Sequence, residues 1–595
     1  MLPFRGIHAK ATGAYFPSGQ TERLHFLNMK FFGSLLFFVA ALMGCSQPVT
    51  APQQSREFQS LTTQADSTQW WNSAVFYEIW PRSFYDADGD GSGDFQGMTQ
   101  KLDYLKDLGV TGIWLTPVFE APSYHGYDFQ DFYKVESDYG TMAEFENFIA
   151  ASHQRGIRVI LDLVLNHISD QHEWFIKSAR REGGYEDYFI WRDERPEGWG
   201  RPWSSRPEPE AVWHWHDTRK AYYYGAFGRT QPDLNLTKPA VVDELNRLAS
   251  FWLDKGVDGF RLDAVRYAVE EGPYPLQADT KGTIDYWTAF TKHVKSKKPD
   301  ALLVAEAWTG LDIVGKYRNG GKGLDAAFDF DFGYVLIDML NSRAGRSADF
   351  GTLSSTSLRQ NRENLWTNLQ NRKAAAPITY FSPFLTNHDQ NRMMLTLENK
   401  VEKARIAASL LMTSPGTLYL YYGEEIGMTQ FKTGDDQYRR AIMQWTEEDH
   451  AGFNSTGNFW LDQGKWFPWN NEHQGWWGDY WKSLQGKGNS VQAQVADPNS
   501  LLNHYKRLIR VRNQNPALAH PEEIRYYPVD NQDVWIVENS IGKKRNWVIV
   551  NLNSSAAATF SVPRELQGVR RDQLTDTEKN IGAKLTLQPT ETFIF

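Results

Sequence analysis

Gly259-Phe260-Arg261-Leu262-Asp263-Ala264-Val265 is the stretch from which the 595-residue chain is best read. A helical stripe of Val241, Leu245, Leu248 and Trp252 leads into it, and Gly256 stands where that helix should stop. The run after Gly256 is apolar except for one Arg and one Asp, whereas a buried parallel strand should be apolar almost throughout. Residues two apart on a strand point to the same side, so Arg261 and Asp263 share a face. A neighbouring guanidinium favours the ionised carboxylate and fixes its direction. Asp263 therefore reads as a charged carboxylate at a strand end. A structural Arg–Asp pair in a core would leave the same trace.

Seven further strand-like runs surround this one: Ala74–Trp80, Gly112–Pro117, Arg158–Leu163, Ala301–Glu306, Ala326–Phe330, Pro383–Thr386 and Thr417–Tyr421. Helical stripes lie between several of them, such as Leu102, Leu105 and Leu108, or Phe145, Phe148 and Ile149. Eight strand–helix units predict an α/β fold, a closed (β/α)8 TIM barrel over residues 70–517, with its chemistry at the C-terminal strand ends. Residues 167–237, dense in Trp, Pro and Arg, are too long for a strand–helix loop and read as an inserted subdomain B after strand 3. A second Trp-rich insertion spans about 433–490, where local packing is the expected role of most rings. Short alternating runs after Pro516 predict a C-terminal antiparallel β-sandwich over 518–595.

The N-terminal region has its own logic. Met29-Lys30 precede an apolar run from Phe31 to Met43 that is too short to span a bilayer and reads as a signal peptide, residues 29–45. Residues 1–28 then form a non-native extension, because Met29 makes the better start. Cys45 is the single cysteine, so no intrachain disulfide can form. Residues 46–69, rich in Gln, Ser, Thr and Pro, read as a flexible tether. The net charge of −9 and the lack of a basic stripe argue against a nucleic-acid partner.

Three carboxylates stand at strand ends: Asp263, Glu306 and Asp389. Acetal hydrolysis with retention needs two, one attacking and one protonating the leaving oxygen, at about 5–5.5 Å. Glu306 follows an apolar run, which suits a proton donor, because apolar surroundings raise a carboxyl pKa. In Asp86-Ala-Asp88-Gly-Asp90-Gly-Ser92-Gly-Asp94, acidic residues alternate with turn residues, a pattern that suits a hard cation. A solvated acidic turn is the alternative.

Four ordered segments carry a resemblance: Asp162 to His167, Gly259 to Val265, Val304 to Trp308, and Phe384 to Asp389. Together with Gln231-Pro232-Asp233-Leu234-Asn235, they make residues 70–595 resemble the α-amylase family of glycoside hydrolases, near the branch of the oligo-1,6-glucosidases. The resemblance implies Asp263 as nucleophile, Glu306 as general acid/base and Asp389 as transition-state stabiliser. It implies Arg261, His167 and His388 as sugar ligands and Tyr127 as a stacking ring, with His125 and Asp128 beside it. It also implies Ca²⁺ on Asp86, Asp88, Asp90, Asp94 and the Ser92 carbonyl. The family's other calcium site is not expected, because Tyr267 stands where a His is usual. The implied function is hydrolysis of α-1,4 bonds in starch and maltodextrins by a monomer; the alternatives are an exo-acting α-glucosidase or oligo-1,6-glucosidase, an α-glucanotransferase, or a non-catalytic glycan binder. Leu42-Met43-Gly44-Cys45 resembles a lipobox, which implies lipidation of Cys45, a lipid anchor as the membrane contact, and an outer-membrane location in a bacterial envelope; an ordinary secretory signal is the alternative.

Overall fold

Apolar residues at alternate positions give each predicted strand one face for a barrel interior and one for a surrounding helical layer. The computed structural model describes residues 58–63, 69–341, 362–463, 466 and 476–595. The extension, the signal segment, Cys45 and most of the 46–69 tether lie outside them. Among the described residues, no helix is long and apolar enough to cross a membrane.

The eight barrel strands are β1 (Val75–Ile79), β2 (Gly112–Leu115), β3 (Arg158–Leu163), β4 (Gly259–Leu262), β5 (Leu302–Ala305), β6 (Ala326–Asp329), β7 (Phe381–Pro383) and β8 (Leu418–Tyr421). They form one parallel sheet in sequence order, with β8 beside β1. A parallel bridge between Phe384 and Tyr419 joins β7 to β8 and closes the ring. β7 ends before the predicted Leu385 and Thr386: beyond Phe384 the chain leaves the ladder for the loop bearing Asn387-His388-Asp389. Apolar character alone does not mark where pairing stops.

The side chains divide as the period of two requires. Phe76, Trp114, Ile160, Leu302, Val304, Phe328 and Tyr419 pack in one inner cluster. Val75, Tyr77, Ile113, Val159, Phe260 and Leu303 belong to the outer core beneath the helices. The helix Pro239–Asp254 buries Val241, Leu245, Leu248 and Trp252 as the stripe predicts. At Gly259 (φ +153°), an added Cβ would lie 2.1 Å from the Leu302 carbonyl oxygen, so β4 and β5 need a glycine there.

Between β3 and the Pro239 helix the chain forms a helix, Glu173–Arg180, and an antiparallel sheet of Trp191–Arg192, Ala221–Tyr224 and Trp213–His216. In the second insertion, Trp460 and Trp477 are fully buried and Trp481 nearly so; Trp477 and Trp481 pack against each other, whereas Trp460 reaches out of the insertion, its indole N–H donating to Ser83.

The C-terminal region holds a five-stranded antiparallel sheet, with Ile536 and Ile549 sharing a core with Phe560 and Leu587 of a smaller ladder. One edge of this sheet is Gln59–Thr62, which pairs with Glu523–Tyr526, so these residues of the predicted tether are ordered β structure. Edge pairing uses main-chain groups and needs little apolar periodicity. The hairpin Gly568–Asp572/Thr577–Ile581 also escapes the sequence pattern, because its strands are largely exposed and charged.

Candidate active site

The inner cluster stops where charge begins. On β1, Phe76 is followed two residues later by Glu78; on β3, Ile160 by Asp162; on β4, Gly259 by Arg261 and then Asp263; on β5, Val304 by Glu306. Strand parity therefore puts a layer of ionisable groups on top of the apolar filling, at the C-terminal mouth. Arg261 and Asp162 are register partners across β3 and β4, and both are fully buried.

Arg261 is the hub. Its Nη1 donates to both Asp162 oxygens at 2.8 and 2.9 Å and to Asp263 Oδ1 at 2.7 Å. Its Nη2 lies 3.3 Å from Glu306 Oε2. One planar guanidinium thus brings the Asp263 and Glu306 carboxyls together. The residue after Asp263, Ala264, is left-handed (φ 52°), and its N–H donates to Glu306 Oε2 at 2.9 Å. A non-glycine residue in that region stores about 1–3 kcal/mol of strain. Here the turn aims an amide at the second carboxyl.

A second cluster faces the first. Tyr127, from the loop after β2, donates its hydroxyl proton to Asp162 Oδ2 at 2.9 Å, and its oxygen lies 2.6 Å from His388 Nε2. The two rings stack, 12° from parallel. His388 Nε2 lies 3.1 Å from Asp389 Oδ2, and Nδ1 lies 2.5 Å from Glu78 Oε1. Arg440, from the second insertion, holds Asp389 Oδ1 at 3.0 Å.

Burial raises the Asp263 carboxyl pKa well above its ordinary value; Arg261 opposes this, while Glu306, Asp162 and Asp389 add to it. Arg261 alone therefore does not fix the ionisation of Asp263, as the sequence suggested: three carboxylates surround it, and one guanidinium cannot offset them all. Asp389 behaves oppositely. Its burial is overcome by His388, Arg440 and Arg261, and its carboxyl stays ionised far below the usual range. Burial lowers the His388 pKa, yet Asp389 and Glu78 raise it to about 9.

The other predicted ligands take outer places. His167 is buried against Phe227, with Nε2 3.2 Å from Gln231 Nε2, and burial lowers its pKa to about 3, which leaves it neutral. His125 accepts the Tyr127 N–H at 3.1 Å, and Asp128 is turned into its own loop toward Ser123. These two side chains shape the turn that presents Tyr127. Glu78, Asp162 and Arg440 were not singled out from the sequence. Glu78 and Asp162 carry a usable signal, a lone charge at an inward strand position. Arg440 carries none.

In the acidic loop, Asp86, Asp88 and Asp94 each bring one oxygen to within 4.8 Å of the others. Asp86 is buried, which raises its pKa to about 6, and it accepts from the Gly89 and Gly91 N–H groups. Asp94 caps the helix Phe95–Gln100 through the Gly97 N–H. Asp90 is not part of this group; its carboxylate accepts from the Ser92 N–H, and the Ser92 hydroxyl accepts from Arg82. Close-set hard oxygens, from two buried carboxylates and one exposed, match the donor chemistry of Ca²⁺.

Comparison with known proteins gives the same answer over most of the chain. The family model "Alpha amylase, catalytic domain" matches residues 78–521. Alpha-amylase 3 of Dictyoglomus thermophilum is 35% identical over 88% of this chain and 93% of its own length. Oligo-1,6-glucosidase of Bacillus cereus is 29% identical over 89% of this chain and 99% of its own length. The crystal structure of the α-amylase from H. orenii superposes with a TM-score of 0.70 at 31% identity, covering 88% of this chain and 98% of that one. A barrel whose strand ends converge on Asp263, Glu306 and Asp389, and which matches these proteins along nearly its whole described length, belongs to the α-amylase family of glycoside hydrolases.

Proposed function

We propose that the protein hydrolyses α-1,4-glucosidic bonds within starch and maltodextrins, with retention, through a covalent glycosyl-enzyme intermediate. The observation that carries this reading is the pairing of the Asp263 and Glu306 carboxyls on adjacent nitrogens of Arg261. Asp263 attacks the anomeric carbon. Glu306, with Oε2 committed to the Ala264 N–H, protonates the leaving oxygen from Oε1 and then accepts a proton from the incoming water. The crowding of carboxylates around Arg261 works against ionising all of them at once. Asp389 and His388 bind sugar hydroxyls, and the Tyr127 ring stacks beneath the same sugar.

Internal cleavage is supported at residue 124. Exo-acting members of the family usually place an Asp there to grip the chain end. Here Tyr124 stacks on Trp460 at 5.3 Å, 21° from parallel. The Gln231–Asn235 segment and the 33% identical Maltase 1 of Drosophila virilis favour the second reading, an exo-acting α-glucosidase. Maltoheptaose blocked at its non-reducing end separates the two: internal fragments are expected, and failure to cleave it, with glucose released only from unblocked chains, would overturn the endo assignment.

The same reading places Ca²⁺ on Asp86, Asp88 and Asp94. The ion would neutralise these carboxylates and tie the loop after β1 to the second insertion, from which Asn454 donates to Asp86 at 2.8 Å. An ion bound only by the folded form at about 100 times its Kd stabilises by about 2.7 kcal/mol. Chelation is expected to lower the Tm while leaving the initial rate at low temperature nearly unchanged. An unaltered Tm after verified metal removal would count against the site.

A further inference from the structure

We propose that Glu78 is a positioning residue of the active site: its carboxylate orients His388 and holds it as an imidazolium facing Asp389. This rests on the reading above only in taking His388 and Asp389 as sugar ligands.

Glu78 sits at the inward end of β1, 310 residues before His388, and is 1% exposed. Its Oε1 meets His388 twice, at Nδ1 (2.5 Å) and at the backbone N–H (3.3 Å). Burial raises the Glu78 carboxyl pKa and His388 opposes this; with the pair ionised, the carboxylate only accepts, so Nδ1 facing Glu78 carries a proton. Tyr127 has a single hydroxyl proton, which goes to Asp162, so its oxygen accepts from His388 Nε2. Asp389, also an acceptor, lies 3.1 Å from the same nitrogen. Both ring nitrogens thus donate, which requires the cation.

The groups facing His388 support this from every side. Glu78 comes from β1, Asp162 from β3 through Tyr127, and Asp389 adjoins it in sequence. The Arg440 guanidinium approaches the backbone, with Nε donating to the His388 carbonyl at 3.2 Å, and leaves the ring to the carboxylates. Trp80 and Trp114 cover the ring at 5.7 Å each, so water does not compete for its N–H groups. The consequence for the reaction is a fixed positive charge beside Asp389. It keeps that carboxylate ionised and turned toward the cleavage position, where positive charge develops on the sugar.

Glu78→Gln keeps the shape and removes the charge. His388 then loses one of the two carboxylates that raise it to about 9 and falls back toward its ordinary value near 6.5. The imidazolium is present below its pKa and lost above it, so the alkaline limb of kcat/KM on maltoheptaose should move down by at least about one unit. At pH 8 the variant should be about tenfold slower relative to the parent than at pH 6. Glu78→Asp, which keeps the charge, should preserve the limb while lowering kcat. The second measurement needs no substrate. With ¹⁵N-labelled histidine, one imidazole of the full-length protein should remain doubly protonated at pH 8, and this signal should vanish in His388→Asn and in Glu78→Gln. Superimposable pH profiles for the parent and Glu78→Gln would overturn the proposal, as would the absence of any imidazolium at pH 8. Loss of α-1,4 activity with the imidazolium intact would instead count against the glucan reading.

Discussion

Glu306→Gln is expected to lower starch turnover by about 10²–10⁴-fold, the usual cost of removing a general acid/base. The amide keeps the size of the side chain and can still accept from the Ala264 N–H, so the Ala264 turn should stay in place. What disappears is the proton for the leaving oxygen. An aryl maltooligoside, whose leaving group needs little protonation, should therefore lose much less in the step that forms the glycosyl-enzyme. The following step, which needs a base to activate water, should become limiting and appear as a burst of the aryl product. Parallel kcat measurements on starch and on the aryl substrate test this. Undiminished starch turnover would remove Glu306 from the mechanism.

Arg261→Met is expected to be the most destabilising of the active-site replacements, by about 3–5 kcal/mol, because breaking a buried ion pair leaves an uncompensated charge. The charge at issue is unusually large. Asp162 and Arg261 are fully buried, and Asp263 and Glu306 are nearly so. Without the guanidinium, the carboxylates must take up protons or admit water. Stability should therefore fall most at neutral and alkaline pH and recover as the carboxyls protonate in acid. The midpoint of urea unfolding, measured across pH, gives the direct reading. Asp162→Asn in the Arg261→Met background should restore part of the loss, because it removes one unpaired charge from the same network. An Arg261→Met protein as stable as its parent would show that the hub holds together without its cation.

Much of the fold was legible because the information is local. A period of two marks a strand, and a period of 3.6 marks a helix. Thr141, Ser490 and Ser500 each cap a helix through a side-chain oxygen, as their types would suggest. The pattern failed where structure rests mostly on main-chain pairing, at Gln59–Thr62 and in the charged hairpin near residue 575. At the acidic loop, Asp90 turns to the Ser92 N–H while Asp86, Asp88 and Asp94 converge. Alternate spacing along a chain gives the residue types a site could use but not the turn that points each one.

The sequence by itself determined the barrel, the inward position of Arg261 and Asp263, and the placing of Glu306 at a strand end, because strand parity is fixed within a few residues; Asp389 lies on the loop beyond β7. Only the tertiary structure decided the charge state of the site. Glu78 meets His388 across 310 residues, Tyr127 meets Asp162 across 35, and Arg440 reaches Asp389 from an insertion. The first of these contacts exists because the ring of strands closes and brings β1 beside β8 and near β7; the others join groups at neighbouring strand ends. Protonation depends on which charges end up within a few ångströms in a water-poor interior, and that is a property of the closed ring and of no single segment.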